Sequence, residues 1–250
     1  MKAIFVSQDA VLRDSHIALD SDPETWRLAP ATLEAVRLLG GEERLVLLMA
    51  ACCRDALDGS SLDAEAAATR MHRVVSQIES GGGRVDATLA CTHGPDEPCR
   101  CWGEFPGALW MAAAQLNLRL EEAYLLADSP REVETALAAG VRPLVVLGGR
   151  RIGELLGDAP AHKDYPIAED LGTAVSYIAV EEDIASQWAQ PRQAAVLLPS
   201  PEELYADPKA LPRLTVVSRL AQGLQAQAVR TRAQLHDIVR WLSFVVIGAL

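Results

Sequence analysis

Basic residues are scarce in this 250-residue sequence: 23 Lys and Arg stand against 34 Asp and Glu, a formal net charge of −11. That balance argues against a nucleic-acid surface, which needs clustered cations to meet phosphate. No signal peptide is expected either, since Met1 and Lys2 lead straight into a short apolar stretch, 3–6, and then into polar residues. No apolar run reaches the roughly 20 residues that a membrane-crossing helix requires. Cysteine is sparse too, five in all. The setting expected is cytosolic, with thiols reduced rather than paired in disulfides.

What cysteine there is lies mostly in one loop. Cys91, His93, Cys99 and Cys101 form a C-x-H-x5-C-x-C pattern. Thiolate and imidazole are the ligands that zinc prefers in tetrahedral array, and this spacing supplies all four. A closed set leaves no position for a water, so the Zn2+ it implies is structural. The other two, Cys52 and Cys53, are adjacent and follow a hydrophobic run. Vicinal disulfides are rare, so these read as buried thiols.

Apolar strands alternate with helical stretches along most of the chain. Strands are expected at 3–6, 44–48, 85–90, 123–126 and 143–147, and helices at 31–39, 63–80, 108–116 and 131–139. Gly81-Gly82-Gly83 ends the long helix and Gly140 the last one. Strands separated by helices are the pattern of an α/β fold, a doubly wound parallel sheet covered on both faces. Sites in such sheets form at the carboxyl ends of the strands.

Those strand ends carry a family resemblance. Residues 3–12, with Ser7, Asp9 and Ala10 after an apolar strand, resemble the first motif of haloacid dehalogenase-type phosphatases, an apolar strand followed by D-x-D-G-V. The Cys/His loop followed by Trp102-Gly103-Glu104-Phe105-Pro106-Gly107 resembles the C-R-K-P-x-P-G segment of the subgroup holding heptose bisphosphate and histidinol phosphatases. Residues 125–132, with Asp128 and Glu132, running on to Ala138-Ala139-Gly140, resemble the family's acidic fourth motif. His162-Lys163-Asp164-Tyr165-Pro166 with Asp170-Leu171 resembles the segment that closes the domain. The resemblance covers residues 1–180 and implies a Mg2+-dependent phosphatase domain carrying a zinc loop.

It also marks departures from that chemistry. The family's reaction needs a carboxylate nucleophile, a second acid two residues on, Mg2+, a small hydroxyl residue and a lysine. Ser7 stands at the nucleophile position, and no neighbouring histidine or lysine activates it. Asp9 remains as a vestigial acid/base. Residues 49–53, Met-Ala-Ala-Cys-Cys, replace the hydroxyl-bearing T-N-Q-S-G, and Gly103 replaces the lysine, with Arg100 the nearest cation. Asp9, Asp128 and Glu132 are candidates for a residual Mg2+ site; the alternative is that they cap loops and helix N-termini, which is the preferred reading for Glu132. Parts that act as a unit are not lost additively, so the expectation is a phosphatase fold without phosphatase activity.

Past residue 180 the composition shifts. Residues 181–212 are rich in proline and read as an extended linker. From 213 to 250 leucines and valines recur at helical spacing beside five arginines, and the chain ends in an apolar run beginning at Trp241. Ten helical residues rise about 15 Å, half the hydrocarbon thickness. The expectation is a basic amphipathic helix running into the beginning of a transmembrane segment, or docking on a membrane or an integral membrane protein, with the domain on the cytoplasmic face of the inner membrane. The alternative is a helix that packs back on its own domain. For function, the first expectation is a scaffold or regulatory subunit in a protein complex; the alternative is a phosphatase of a sugar phosphate such as heptose bisphosphate, or of histidinol phosphate.

Overall fold

A computed structural model describes residues 1–41, 44–50, 64–93, 99–156, 165–188 and 196–217. The Cys52–Cys53 pair, the 162–164 motif and the tail from 218 lie outside the described residues. Seven strands form one sheet in the order β6-β5-β4-β1-β2-β3-β7. They are β1 (Lys2–Ser7), β2 (Arg44–Ala50), β3 (Ala87–Ala90), β4 (Tyr124–Ala127), β5 (Arg142–Val146), β6 (Ile167–Ala168) and β7 (Arg213–Val216). All neighbours pair in parallel except β3 with β7, which is antiparallel.

Helices cover both faces: α1 (Gln8–Asp14), α2 (Pro30–Leu39), α3 (Ala64–Ser80), α4 (Gly107–Leu116), α5 (Pro130–Ala138), α6 (Ile152–Leu156), α7 (Leu171–Trp188) and α8 (Pro201–Leu204). The pleat of the strands sorts the core. Phe5, Leu47 and Leu89 point into one apolar layer with Leu109 and Ala136, while Ile4, Val6, Val46 and Leu48 point into the other with Val36, Val74 and Ile78. This two-sided burial is why the strands read as near-continuous apolar runs. The α/β parallel fold expected from the alternation is the fold observed, with one antiparallel edge.

Two elements differ from expectation. The acidic run that begins at Val180 continues α7 instead of opening a linker. Glu182 pairs with Lys2 at 3.7 Å and with Arg44, and Glu181 pairs with Arg142. Local acidity thus reflects three cations at the amino edge of the sheet. Residues 213–216 form β7, a strand, where a helix was expected to begin. Arg213 and Thr215 are exposed while Leu214 and Val216 are half-buried, a two-residue alternation, and β3 supplies the partner. The described part of the proline-rich stretch before it, 196–212, is structured as well. Ser200 caps α8 with a full capping box to Glu203, and Pro208–Ala210 makes a single 3-10 turn.

Candidate functional site: an acid cluster and a Cys/His centre

Parallel pairing sets Val6 opposite Leu126, so β1 and β4 end side by side. Ser7, the last residue of β1, is fully buried, and Asp9 follows in the first turn of α1. Asp128 lies just past β4, and Glu132 sits in the first turn of α5. The acids named from sequence therefore converge on one carboxyl edge.

Arginines converge on them. Arg13, one turn after Asp9 on α1, donates through Nε to Asp128 Oδ2 at 3.2 Å. Arg150, past β5, pairs with Asp128 Oδ1 and also donates to the Asp128 carbonyl at 3.1 Å. Its Nε donates to the Leu147 carbonyl at 3.0 Å, which fixes the fork. Arg70 of α3, itself buried, acts electrostatically on Asp9. Burial drives the Asp9 carboxyl above its ordinary range, and Arg13, Arg70 and Arg150 oppose that rise. Burial likewise pushes Asp128 up to about 6, with Arg150 pulling down and Asp9 pushing up.

Glu132 serves backbone. One carboxyl oxygen accepts the Asp128 N–H at 2.6 Å, and Ser129, the N-cap of α5, accepts the Glu132 N–H at 3.3 Å. Burial, then the nearby Asp128 charge, pushes Glu132 up to about 8, so it is largely protonated at neutral pH. Mg2+ is usually held by one or two carboxylates together with water and substrate oxygens. Here both Asp128 oxygens already face guanidinium groups, one Glu132 oxygen accepts a backbone N–H while the other lies buried near the Ser7 hydroxyl, and Ser7 brings no charge. As it stands, the charge of Asp128 is met by guanidinium groups.

The backbone around the third motif departs from a lysine-bearing one. Gly103 adopts φ +87°, a region that side-chain-bearing residues rarely enter, and its N–H donates to Thr135 Oγ1 at 2.7 Å. Gly107 is set by crowding: a Cβ there would lie 2.3 Å from the Arg100 carbonyl. Arg100, the nearest cation in sequence, stacks on the Phe105 ring at 3.5 Å instead of reaching toward the acids.

The second centre lies beyond the end of β3. One ligand atom from each of Cys91, His93, Cys99 and Cys101 falls within 4.8 Å of the others. His93 Nδ1 is 3.1 Å from Cys91 Sγ and 3.4 Å from Cys101 Sγ, and the Cys91 and Cys99 sulfurs are 3.7 Å apart. With Zn–S near 2.3 Å and Zn–N near 2.0 Å, tetrahedral donors stand roughly 3.5–3.8 Å apart, so the donor set fits an ion such as zinc. His93 Nε2 faces the Lys209 carbonyl at 2.5 Å. A carbonyl only accepts, so Nε2 carries the proton and Nδ1 is left to ligate.

Sequence reading missed Arg13, Arg70 and Arg150 around the acids and the Lys209 carbonyl behind His93. Arg13 had a usable signal, one helical turn from Asp9; Arg150 had only its place after a strand neighbouring β4.

No protein-family model matches the chain. Among curated proteins, it is 31% identical over 152 residues to the D-glycero-beta-D-manno-heptose-1,7-bisphosphate 7-phosphatase of Bordetella bronchiseptica, covering 60% of this chain and 82% of the relative. The Pseudomonas aeruginosa protein of the same name is 28% identical over 173 residues, 66% of this chain and 93% of its own. Among solved structures, D,D-heptose 1,7-bisphosphate phosphatase from B. bronchiseptica, crystallised with magnesium and phosphate, superposes with TM-score 0.59 at 24% identity, over 72% of this chain and 99% of that one. The Burkholderia thailandensis enzyme does so at 0.51 and 17%, over 72% and 99%.

Proposed function

Since this chain belongs to the haloacid dehalogenase superfamily, in its heptose bisphosphate phosphatase-like group, we propose that it is a zinc-bearing, catalytically degenerate member that acts as a scaffold or regulatory subunit. The observation that carries this reading is the internal neutralisation of the acid cluster. Asp128 is paired with Arg13 and Arg150 at the carboxyl edge, next to a buried Ser7 where the family's motif has an aspartate. A serine hydroxyl is a weak nucleophile, and Glu132, the carboxyl beside Ser7, is largely protonated at neutral pH, while two guanidinium groups satisfy the charge of Asp128 that Mg2+ would otherwise meet. Gly103, at φ +87°, has no side chain to balance a phosphoryl group. Zn2+ held by Cys91, His93, Cys99 and Cys101 supplies structure and takes no part in a reaction. Residues 218–250 are the proposed attachment to a membrane or membrane protein on the cytoplasmic side; among the described residues no helix is long and apolar enough to cross one.

The second reading is a Mg2+-dependent phosphatase of heptose bisphosphate, and the named relatives favour it. Phosphate release separates the two. Purified full-length protein with Mg2+ and either heptose bisphosphate or an aryl phosphate is expected to stay at background. Turnover by the wild type that disappears in Asp9→Asn would establish the second reading in place of the first.

A further inference from the structure

More than a quarter of this chain has no counterpart in the superposed phosphatases, which are themselves covered almost completely. Part of the chain beyond the expected domain end at 180 forms a strap. Val196 lies against Gly140 at the end of α5, where a Cβ on that glycine would come within 2.6 Å of it. Leu204 of α8 is buried in the same apolar layer as α4. Leu211 is buried over Gly107, 2.7 Å from where a Cβ would be, and β7 closes the β3 edge.

Between those anchors the strap touches the Cys/His loop through backbone. The Lys209 carbonyl faces His93 Nε2 at 2.5 Å, and the Ala210 carbonyl accepts the Arg100 N–H at 2.9 Å. Arg100 lies between ligands Cys99 and Cys101, so both halves of the donor set are held from the same turn.

We infer that the strap is the outer shell of the metal centre: docking of residues 196–217 orients His93 for ligation, and metal binding in turn holds the strap down. The inference rests on the zinc reading of the Cys/His cluster. Its physical basis is reciprocity. Groups that fix a ligating histidine typically change metal affinity by about 10–100-fold when lost. If the docked strap tightens the metal by some factor, the metal must favour docking by the same factor. No side chain at 209 carries the contact, so its identity there is immaterial; what matters is Leu211, Leu204 and the β3–β7 ladder, which place the carbonyl.

Two measurements on the full-length protein test it. The first is zinc affinity by chelator competition for wild type, Leu211→Asp and, as a control in the opposite apolar layer, Leu39→Ala. Zinc is expected to bind at least tenfold more weakly to Leu211→Asp than to the other two. The second needs no variant: amide exchange at 207–217 in wild type, with zinc and after its removal, expected to quicken tenfold or more while β5 changes little. An unchanged affinity in a folded Leu211→Asp, or exchange at β7 indifferent to zinc, would overturn the coupling. Metal analysis reads the underlying assignment separately, because wild-type protein holding no zinc removes the assignment and the coupling together.

Discussion

Two clusters of metal-type donors sit at the carboxyl edge of one sheet, and they have been treated in opposite ways. At the Cys/His loop, soft donors converge to the spacing of a tetrahedral ion and a carbonyl behind His93 fixes its tautomer. At the ends of β1 and β4, hard donors converge and the protein's own arginines reach them. The first donor set fits an ion, whereas in the second two guanidinium groups already face Asp128. The contrast teaches that converging carboxylates do not imply a metal until the guanidinium groups around them are counted.

The largest expected effect lies at the loop. Removing one thiolate with Cys99→Ser, or stripping the metal with a chelator, takes away a cross-link that couples binding to folding. A loss of about 3 kcal/mol is expected, which for a domain of this size lowers Tm by roughly 10 °C. Thermal unfolding of both samples checks it. A chelator that leaves Tm unmoved while Cys99→Ser lowers it would mean that the thiol matters for packing alone, and the contrast between the centres would collapse.

Next in size is the arginine that fills the other cluster. Arg150→Ala leaves the buried Asp128 with one guanidinium instead of two. Breaking a buried pair costs about 3–5 kcal/mol, and the partial exposure of Arg150 brings this to about 2 kcal/mol, or roughly 6 °C. The sharper readout is the response to Mg2+. Millimolar Mg2+ should restore several degrees to Arg150→Ala and none to wild type, since only the variant has a carboxylate short of a cation. Equal stabilisation of both by Mg2+ would show that the native cluster is a working metal site.

Much of this was legible in sequence, and the failures have a common cause. Spacing alone marked the four donors of the loop, because they lie within eleven residues and their order is their geometry. Apolar runs marked β1, β2 and α4, which are buried nearly all round, and apolar periodicity marked α2, which buries one face, each to within a residue or two. What escaped is long-range. Arg13 and Asp128 are 115 residues apart, as nearly are His93 and the Lys209 carbonyl, and neither pairing leaves a periodic trace. β7 is four residues after a proline-rich stretch, too short to declare a period, and its strand character comes from the edge of β3 that it covers.

The smallest effect at neutral pH concerns Glu132, and it separates a capping carboxyl from a metal ligand. Its native pKa, about 8, lies above the ordinary glutamate value of 4.5 that the unfolded chain has. Between those values the native state holds a proton that the unfolded state has lost. Stability should therefore fall as pH rises through this window, by at most about 1.4 kcal/mol per pH unit from this group. Asp128, raised to about 6 from 3.8, adds a slope of the same sign at the acid end. Glu132→Gln keeps an oxygen to accept the Asp128 N–H and removes the ionisation. It should come nearest to wild type at pH 5, where both native side chains are neutral, and exceed it increasingly toward pH 9, where the wild-type carboxylate is buried beside Asp128. Tm measured from pH 5 to 9 for the two proteins decides it. A Glu132→Gln curve parallel to wild type, or a wild-type Tm that climbs with pH, would mean that Glu132 is ionised in the native state and belongs with the metal-binding acids after all.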